Sequence, residues 1–99
     1  MADIVVFRVW RGTVDIVALF PGLLADTKGN CHSYERVGQH GAADYRLVIS
    51  RTRPATPKEY SDLDAELRGC GYELDVRAHC DEFTRHAARW KAEARRRVK

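Results

Sequence analysis

The sequence lacks any apolar segment long enough to cross a membrane. A transmembrane helix needs about 20 consecutive apolar residues, whereas charged residues make up 31% of this chain and interrupt its apolar runs. The first residues also lack the basic region, apolar stretch and cleavage site of an export signal. We therefore expect no membrane association and a cytoplasmic protein.

The chain has few cysteines, and their spacing favours neither disulfides nor metal. There are 3, an odd number without C-x-x-C spacing, which is unlike a secreted disulfide scaffold. Cys31-His32 and His79-Cys80 supply the residue types that bind zinc. Adjacent residues on a strand point to opposite faces, so neither pair is predicted to chelate one ion. We expect no metal and no other cofactor.

No catalytic signature is present. Ser33, His40 and Asp44 contain the residue types of a hydrolytic triad, but no strand-turn-helix nucleophile elbow surrounds Ser33. Internal repeats and low-complexity linkers are also absent, and 99 residues suit one domain spanning 1–99. The chain is therefore predicted to be a small single domain, for which a non-enzymatic role is preferred and a small enzyme is kept as an alternative.

Charge is distributed unevenly along the chain. Residues 85–99 hold seven basic residues and one acid, a net charge of +6, while residues 1–84 hold ten basic and thirteen acidic residues, a net charge of −3. Apolar residues still make up 44% of the total, enough for a folded core. The pattern predicts a mildly acidic body carrying a basic C-terminal helix at about 82–97.

Alternating apolar residues predict the strands. Ile4–Arg11 reads as a central strand that is apolar on both faces, and Gly12-Thr13 turns it into a second strand, Val14–Phe20, which Pro21-Gly22 ends. We predict a third strand at Cys31–Val37. A fourth is predicted at Tyr45–Arg51, with Tyr45, Leu47 and Ile49 inward, and a last one at Tyr72–Ala78.

Helix signals complete the predicted fold. Thr56-Pro57-Lys58-Glu59 is a capping box with proline at the first helical position. Asp81 is the expected cap of the last helix, whose narrow apolar stripe is formed by Phe83, Ala87, Trp90 and Ala94. The order β-β-β-β-α-β-α predicts an α+β fold with a largely antiparallel sheet of four to five strands and two helices.

Several motifs occur between Phe20 and Tyr60: Phe20-Pro21, Ala25-Asp26, Ser33-Tyr34, Val37-Gly38-Gln39-His40-Gly41, Ala43-Asp44-Tyr45 and Thr52-Arg53-Pro54-Ala55-Thr56-Pro57-Lys58-Glu59-Tyr60. With these motifs the chain resembles a family of short bacterial, phage and plasmid proteins over about Phe7 to Val76. The resemblance implies a small accessory protein of mobile genetic elements. It supplies no catalytic residue, and the helix from Asp81 onward lies outside the shared pattern.

The loop Gly38–Gly41 is the first candidate site. Histidine titrates near neutral pH, and flanking glycines allow a ligand to approach the backbone. A pocket is therefore one interpretation, while side chains that only satisfy loop backbone groups are the other. The candidate residues are Tyr34, Gln39, His40, Asp44 and Arg53.

The basic C-terminal helix is the second candidate. Its cations suit phosphate contacts, and Trp90 can stack on a base if it is exposed. The alternative is a solvated helix whose arginines balance the acidic body, with Trp90 buried alongside Phe83. The candidate binding residues are Arg85, Arg89, Lys91, Arg95 and Arg96.

These features lead to one preferred function and two alternatives. The preferred one is a non-enzymatic accessory protein of a mobile element that binds nucleic acid or a host nucleoprotein complex, for instance as an inhibitor of host defence. The first alternative is a small enzyme or ligand-binding protein acting on an anionic molecule at the Gly38–Gly41 loop. The second is a structural homodimer formed through a sheet edge or Trp10.

Overall fold

The computed structural model describes residues 2–36 and 39–97. The described chain is an α+β fold with a largely antiparallel sheet, as the sequence predicts, and it has three helices. The elements in chain order are β1 (Asp3–Trp10), β2 (Ile16–Leu24), β3 (Cys31–Tyr34), β4 (His40–Ala43), α1 (Tyr45–Arg51), β5 (Thr52–Pro54), α2 (Pro57–Gly69), β6 (Leu74–Val76) and α3 (Glu82–Arg97).

The first strand is central, which confirms its prediction as a strand apolar on both faces. One side of β1 pairs antiparallel with β2, and the described sheet continues through β3 to β4. The other side pairs with two short strands, antiparallel with β5 at Arg8–Trp10 and parallel with β6 at Asp3–Val5. Both edges of β1 are therefore hydrogen-bonded to other strands, and its side chains alternate between the two faces of the sheet.

The predicted β1–β2 hairpin is confirmed, but the bounds of its second strand are wrong. Gly12 adopts a positive φ of 77° in the turn. The second strand begins at Ile16 and continues through Pro21 and Gly22 to Leu24. The pairing with β3 becomes irregular after Phe20, so proline lies where the ladder does not require its missing N–H.

Two hydrophobic clusters cover the two faces of the sheet. Helix α2 closes one cluster with Leu63 and Leu67, and α1 contributes Tyr45 and Val48 to the other. The remaining members of the first cluster are Val5, Phe7, Ala18, Phe20, Tyr34 and Leu74. Those of the second are Val6, Val17, Leu19, Cys31 and Cys80.

The segment Tyr45–Arg51 is a helix, so its prediction as a strand is wrong. Asp44 caps the helix by accepting a hydrogen bond from the Leu47 backbone N–H at 3.2 Å. Tyr45 and Val48, three residues apart, are buried, whereas Leu47 is 46% exposed. The capping side chain and the packing of one helical face on the sheet override the apparent alternation.

Three other boundaries differ from prediction. The third strand ends at Tyr34 rather than at 37, and His40–Ala43, predicted as part of a loop, forms an edge strand. Positions 37 and 38, including the candidate Gly38, lie outside the described residues. The last strand is only Leu74–Val76, because only its short stretch beside β1 is hydrogen-bonded as a strand.

Both predicted helix caps are confirmed. Thr56 accepts a hydrogen bond from the Glu59 N–H, and the Glu59 carboxylate accepts one from the Thr56 N–H. Asp81 accepts a hydrogen bond from the Thr84 N–H at 2.6 Å at the start of α3. Local sequence thus fixes where α2 and α3 begin.

Candidate binding surface

Helix α3 lies on the sheet across Gly22 of β2. A Cβ atom on Gly22 would come within 2.7 Å of the Ala88 Cβ, so only glycine permits this approach. Arg89 fastens the contact, because its Nε donates to the Pro21 carbonyl at 3.1 Å and its Nη2 to the Gly29 carbonyl at 2.9 Å. The Arg89 guanidinium therefore stabilises the packing of α3 on the sheet.

The side chain of Arg85 extends from α3 toward α1. Its side chain is 12% exposed and its guanidinium lies 5.4 Å from the centre of the Tyr45 ring, within cation–π range. The nearest carboxylate is that of Glu82 at 4.0 Å. The buried Nε has no protein partner. This guanidinium faces the molecule and not the solvent.

The remaining predicted cations have different surroundings. Arg95 donates to the Asp3 carboxylate at 3.1 Å, while Lys91 is exposed. The side chain of Arg96 lies outside the described residues. Three of the five predicted contact residues, Arg85, Arg89 and Arg95, are thus engaged by the protein itself, which weakens the argument for a phosphate-binding helix.

The outward face of α3 is aromatic. Phe83 is 83% exposed and Trp90 is 79% exposed, with Ala94 exposed beside them and Ala87 half-buried at the edge. We call these four residues the aromatic stripe. The stripe predicted from sequence exists, and the alternative in which Trp90 is buried alongside Phe83 is wrong. Ala88 fits over Gly22, and Arg89 reaches two backbone carbonyls, so the arginine and alanine face turns inward instead.

The loop candidates do not meet in one pocket. His40 packs edge-on against the buried Tyr34 ring, with 4.7 Å between centroids, and Gln39 is in the adjoining turn. The Tyr34 hydroxyl donates to the Glu66 carboxylate. Asp44 lies at the far end of β4, where it caps α1, and Arg53 lies at the opposite side of the sheet, bound to Glu59 at 2.6 Å.

The groove beside Gln39 is acidic. It encloses about 460 Å³ between the start of β2 and helix α2. Its charged lining is five carboxylates and one arginine, Asp15, Glu35, Glu59, Asp62, Glu66 and Arg36. This charge repels the anionic small molecule of the enzyme alternative.

In each cysteine and histidine pair, the cysteine is buried and the histidine is exposed. Cys31 and Cys80 are buried in the second cluster, while His32 and His79 are exposed. Burial raises the pKa of the Cys31 thiol to about 11, so this thiol stays protonated. Within the described ranges 2–36 and 39–97, no three such side chains are grouped to hold a metal ion.

The sequence predicted the aromatic stripe as a set of apolar residues at helical spacing. It did not predict whether the stripe faces the sheet or the solvent. Phe83, Ala87, Trp90 and Ala94 recur at helical spacing, and so do Arg85, Ala88, Arg89 and Ala92. Periodicity finds both faces and does not say which one meets the sheet. Glycine at position 22, opposite Ala88, is the feature that decides.

Comparison of the chain with models of protein families gave no match, and neither did comparisons with curated proteins and with solved structures. The resemblance to accessory proteins of mobile elements therefore stays a prediction. In the described part of the chain, no helix has the length and apolar character that a membrane span requires.

Proposed function

We propose that this protein is a non-enzymatic binding module that holds a protein component of a nucleoprotein complex through the aromatic stripe of α3. The observation that carries the proposal is the exposure of Phe83 and Trp90, at 83% and 79%, on a helix whose opposite face is fixed to the sheet. Large aromatic side chains left in water on a rigid helix typify protein-binding surfaces.

The spacing of the stripe suits an apolar groove. Phe83 and Trp90 lie two helical turns apart on one face, which is how an amphipathic helix presents anchors to a partner. Each aromatic side chain buries about 150–250 Å² when covered. Tryptophan is also among the residues that most often dominate binding energy.

The charges around the stripe favour a protein over a phosphate backbone. Arg85, Arg89 and Arg95 are held by groups of the same molecule, which leaves Lys91 as an exposed cation beside the stripe among the described side chains of α3. A single lysine suits a carboxylate at the rim of a groove. The role as an inhibitor carried by a mobile element is supported by the sequence resemblance alone.

Direct nucleic-acid binding is the second candidate, because one observation favours it. Stacking of a base on Trp90 requires an exposed indole, and this indole is exposed. In that case binding weakens as salt rises, because each phosphate contact releases counterions. Binding to an apolar groove depends much less on salt.

The test compares immobilised wild-type protein with Phe83→Ala/Trp90→Ala in bacterial lysate, with and without nuclease. Val14→Ala is the matched control, since Val14 is 89% exposed and lies in the β1–β2 turn. We expect a protein that survives nuclease treatment, binds wild type and Val14→Ala, and is lost with the double variant. The purified component is then titrated in a Trp10→Phe background, where Trp90 fluorescence reports contact.

Two results would overturn the proposal. One is that the double variant Phe83→Ala/Trp90→Ala still captures the protein that wild type captures. The other is salt-sensitive binding of a labelled oligonucleotide that Lys91→Glu abolishes, with no nuclease-resistant protein captured, which would instead establish the nucleic-acid candidate.

A further inference from the structure

The aromatic stripe alternates large and small side chains in a way that fits its own reversed copy. Along α3 the order is Phe83, Ala87, Trp90, Ala94, with spacings of four, three and four residues. In an antiparallel pair of α3 helices, Phe83 of one copy faces Ala94 of the other, and Trp90 faces Ala87. Both pairs are centred on one point, between Ala88 and Arg89.

We propose that, without its partner, the protein forms a two-fold symmetric dimer in which two α3 helices pair antiparallel through the aromatic stripe. Each aromatic side chain then fills the space above an alanine of the second copy, as knobs fill holes in helical pairs. The contact is isologous, so it closes at two copies. The same face carries the proposed function, and the regulation described below rests on that function.

The register also uses nearly the whole helix. The centre of the stripe lies close to the middle of Glu82–Arg97, so two reversed copies overlap along nearly the whole of their length of about 24 Å. A register that paired the aromatics with each other would shift the helices and leave part of each stripe in water. Small residues at alternate positions allow the helix axes to approach to about 8 Å.

In this register, the residues that flank the stripe in one copy do not lie beside residues of the same charge in the other copy. His86 of one copy lies beside Glu93 of the other, and Thr84 lies beside Lys91. The symmetric dimer repeats each contact, so the histidine–glutamate pair occurs on both sides of the axis.

The surface area buried in the contact limits the affinity of this dimer. Four aromatic side chains, two from each copy, bury about 600–1,000 Å² in total, which is less than the roughly 1,200–2,000 Å² of a stable interface. The dimer therefore dissociates readily on dilution. Because the dimer covers the surface proposed to bind the partner, partner and second copy compete, and the free protein is held in a form that hides its aromatic side chains.

Sedimentation equilibrium of the full chain, without any partner, over a range of concentrations tests the register. We expect a concentration-dependent dimer for wild type and for the control Val14→Ala. Phe83→Ala removes a knob and Ala94→Phe fills a hole, so each should weaken the dimer about tenfold or more. The double variant Phe83→Ala/Ala94→Phe exchanges knob and hole, and we expect it to recover most of the affinity.

The single variant Ala94→Phe is decisive. It adds exposed apolar surface, so non-specific association or a parallel pair would become stronger, which would overturn the proposal. A monomeric wild type at high concentration, or a double variant weaker than both single ones, would also overturn it. Phe83 and Ala94 lie on the outward face of α3 and Val14 is exposed in the β1–β2 turn, and unchanged thermal unfolding confirms that each variant folds. Pure protein is used, so failure of the dimer leaves partner capture unaffected, and the two proposals fail separately.

Discussion

At the scale of single residues, arginines connect elements of this fold. Arg8 on the central strand is buried, and its guanidinium donates to the Thr52 hydroxyl at 2.9 Å, the Thr52 carbonyl at 2.8 Å and the Ile49 carbonyl at 3.1 Å. These bonds join β1 to the end of α1. Burial lowers the pKa of Arg8, but the three acceptors compensate for its lost hydration.

We predict that Thr52→Val destabilises the protein by about 1–3 kcal/mol, because the Arg8 Nε is left buried without an acceptor. Urea denaturation measures the free energy of unfolding. Ser50→Ala is the control, since the Ser50 hydroxyl bonds the Leu47 carbonyl on the surface and its loss should cost less than about 0.5 kcal/mol. Equal effects of the two substitutions would contradict the prediction.

The capping carboxylate of Glu59 makes stability depend on pH. Hydrogen bonds from the Arg53 guanidinium, and then from the Thr56 backbone, lower the pKa of Glu59 from 4.5 to about 2. The folded state thus binds the proton less readily than the unfolded state. The stability that Glu59 supplies is complete above pH 4.5 and is lost as the pH falls through about 2.

We therefore predict that wild type and Glu59→Gln differ most in free energy of unfolding above pH 4.5, and converge toward pH 2. Denaturant unfolding at several pH values measures the difference. Arg53→Met removes the main cause of the shift, so its own pH dependence in this window should be smaller than that of wild type. A difference that stays constant across the window would refute the assignment.

At the scale of elements, the docking of α3 depends on one glycine. The helix meets β2 where Ala88 lies over Gly22, and polar bonds from Arg89 and Arg95 complete the attachment. None of the described residues of α3 is fully buried. The helix is held by close approach and hydrogen bonds more than by apolar burial.

We predict that Gly22→Ala destabilises the protein by about 1–3 kcal/mol, because the added methyl group pushes α3 away from the sheet. Urea unfolding provides the measurement. Gly69→Ala is the matched control, since its Cβ would meet no atom within 4 Å and its φ is not positive. We expect that control to be neutral or slightly stabilising. A neutral Gly22→Ala would show that α3 does not pack as described.

At the scale of the whole molecule, stability is distributed unevenly. The central strand and α2 belong to the first hydrophobic cluster, and the Leu67 and Val5 side chains are fully buried there. Helix α3 instead covers the sheet from outside with alanines and arginines. Regions with few buried apolar contacts open at lower free energy than the core.

Hydrogen exchange should reflect this distribution. We predict that backbone amides in the middle of α3 exchange faster than those of β1 and of α2 around Leu63 and Leu67, because α3 opens without global unfolding. Asp3→Asn removes the ion pair with Arg95 and should speed exchange toward the C-terminal end of α3 only. Equal protection of α3 and β1 would mean that the helix opens only with the whole molecule.

The sequence by itself determined the features whose causes are local. The hairpin at Gly12, the capping box at Thr56, the cap at Asp81 and the α+β class all follow from turn chemistry and periodicity, which act within a few residues. The same local rules found the helical spacing of the aromatic stripe. These rules predicted the basic residues of α3 equally well.

Tertiary structure decided which face of each element is buried. Tyr45–Arg51 became a helix because Asp44 caps it and Tyr45 and Val48 meet the sheet, and α3 turned its stripe outward because Gly22 accepts Ala88. The packing of α1 on the sheet and the approach of Ala88 to Gly22 depend on residues far apart in the chain, and periodicity contains no information about them. The proposed binding surface therefore became visible only when the arginines of α3 were found against the protein and Phe83 and Trp90 in solvent.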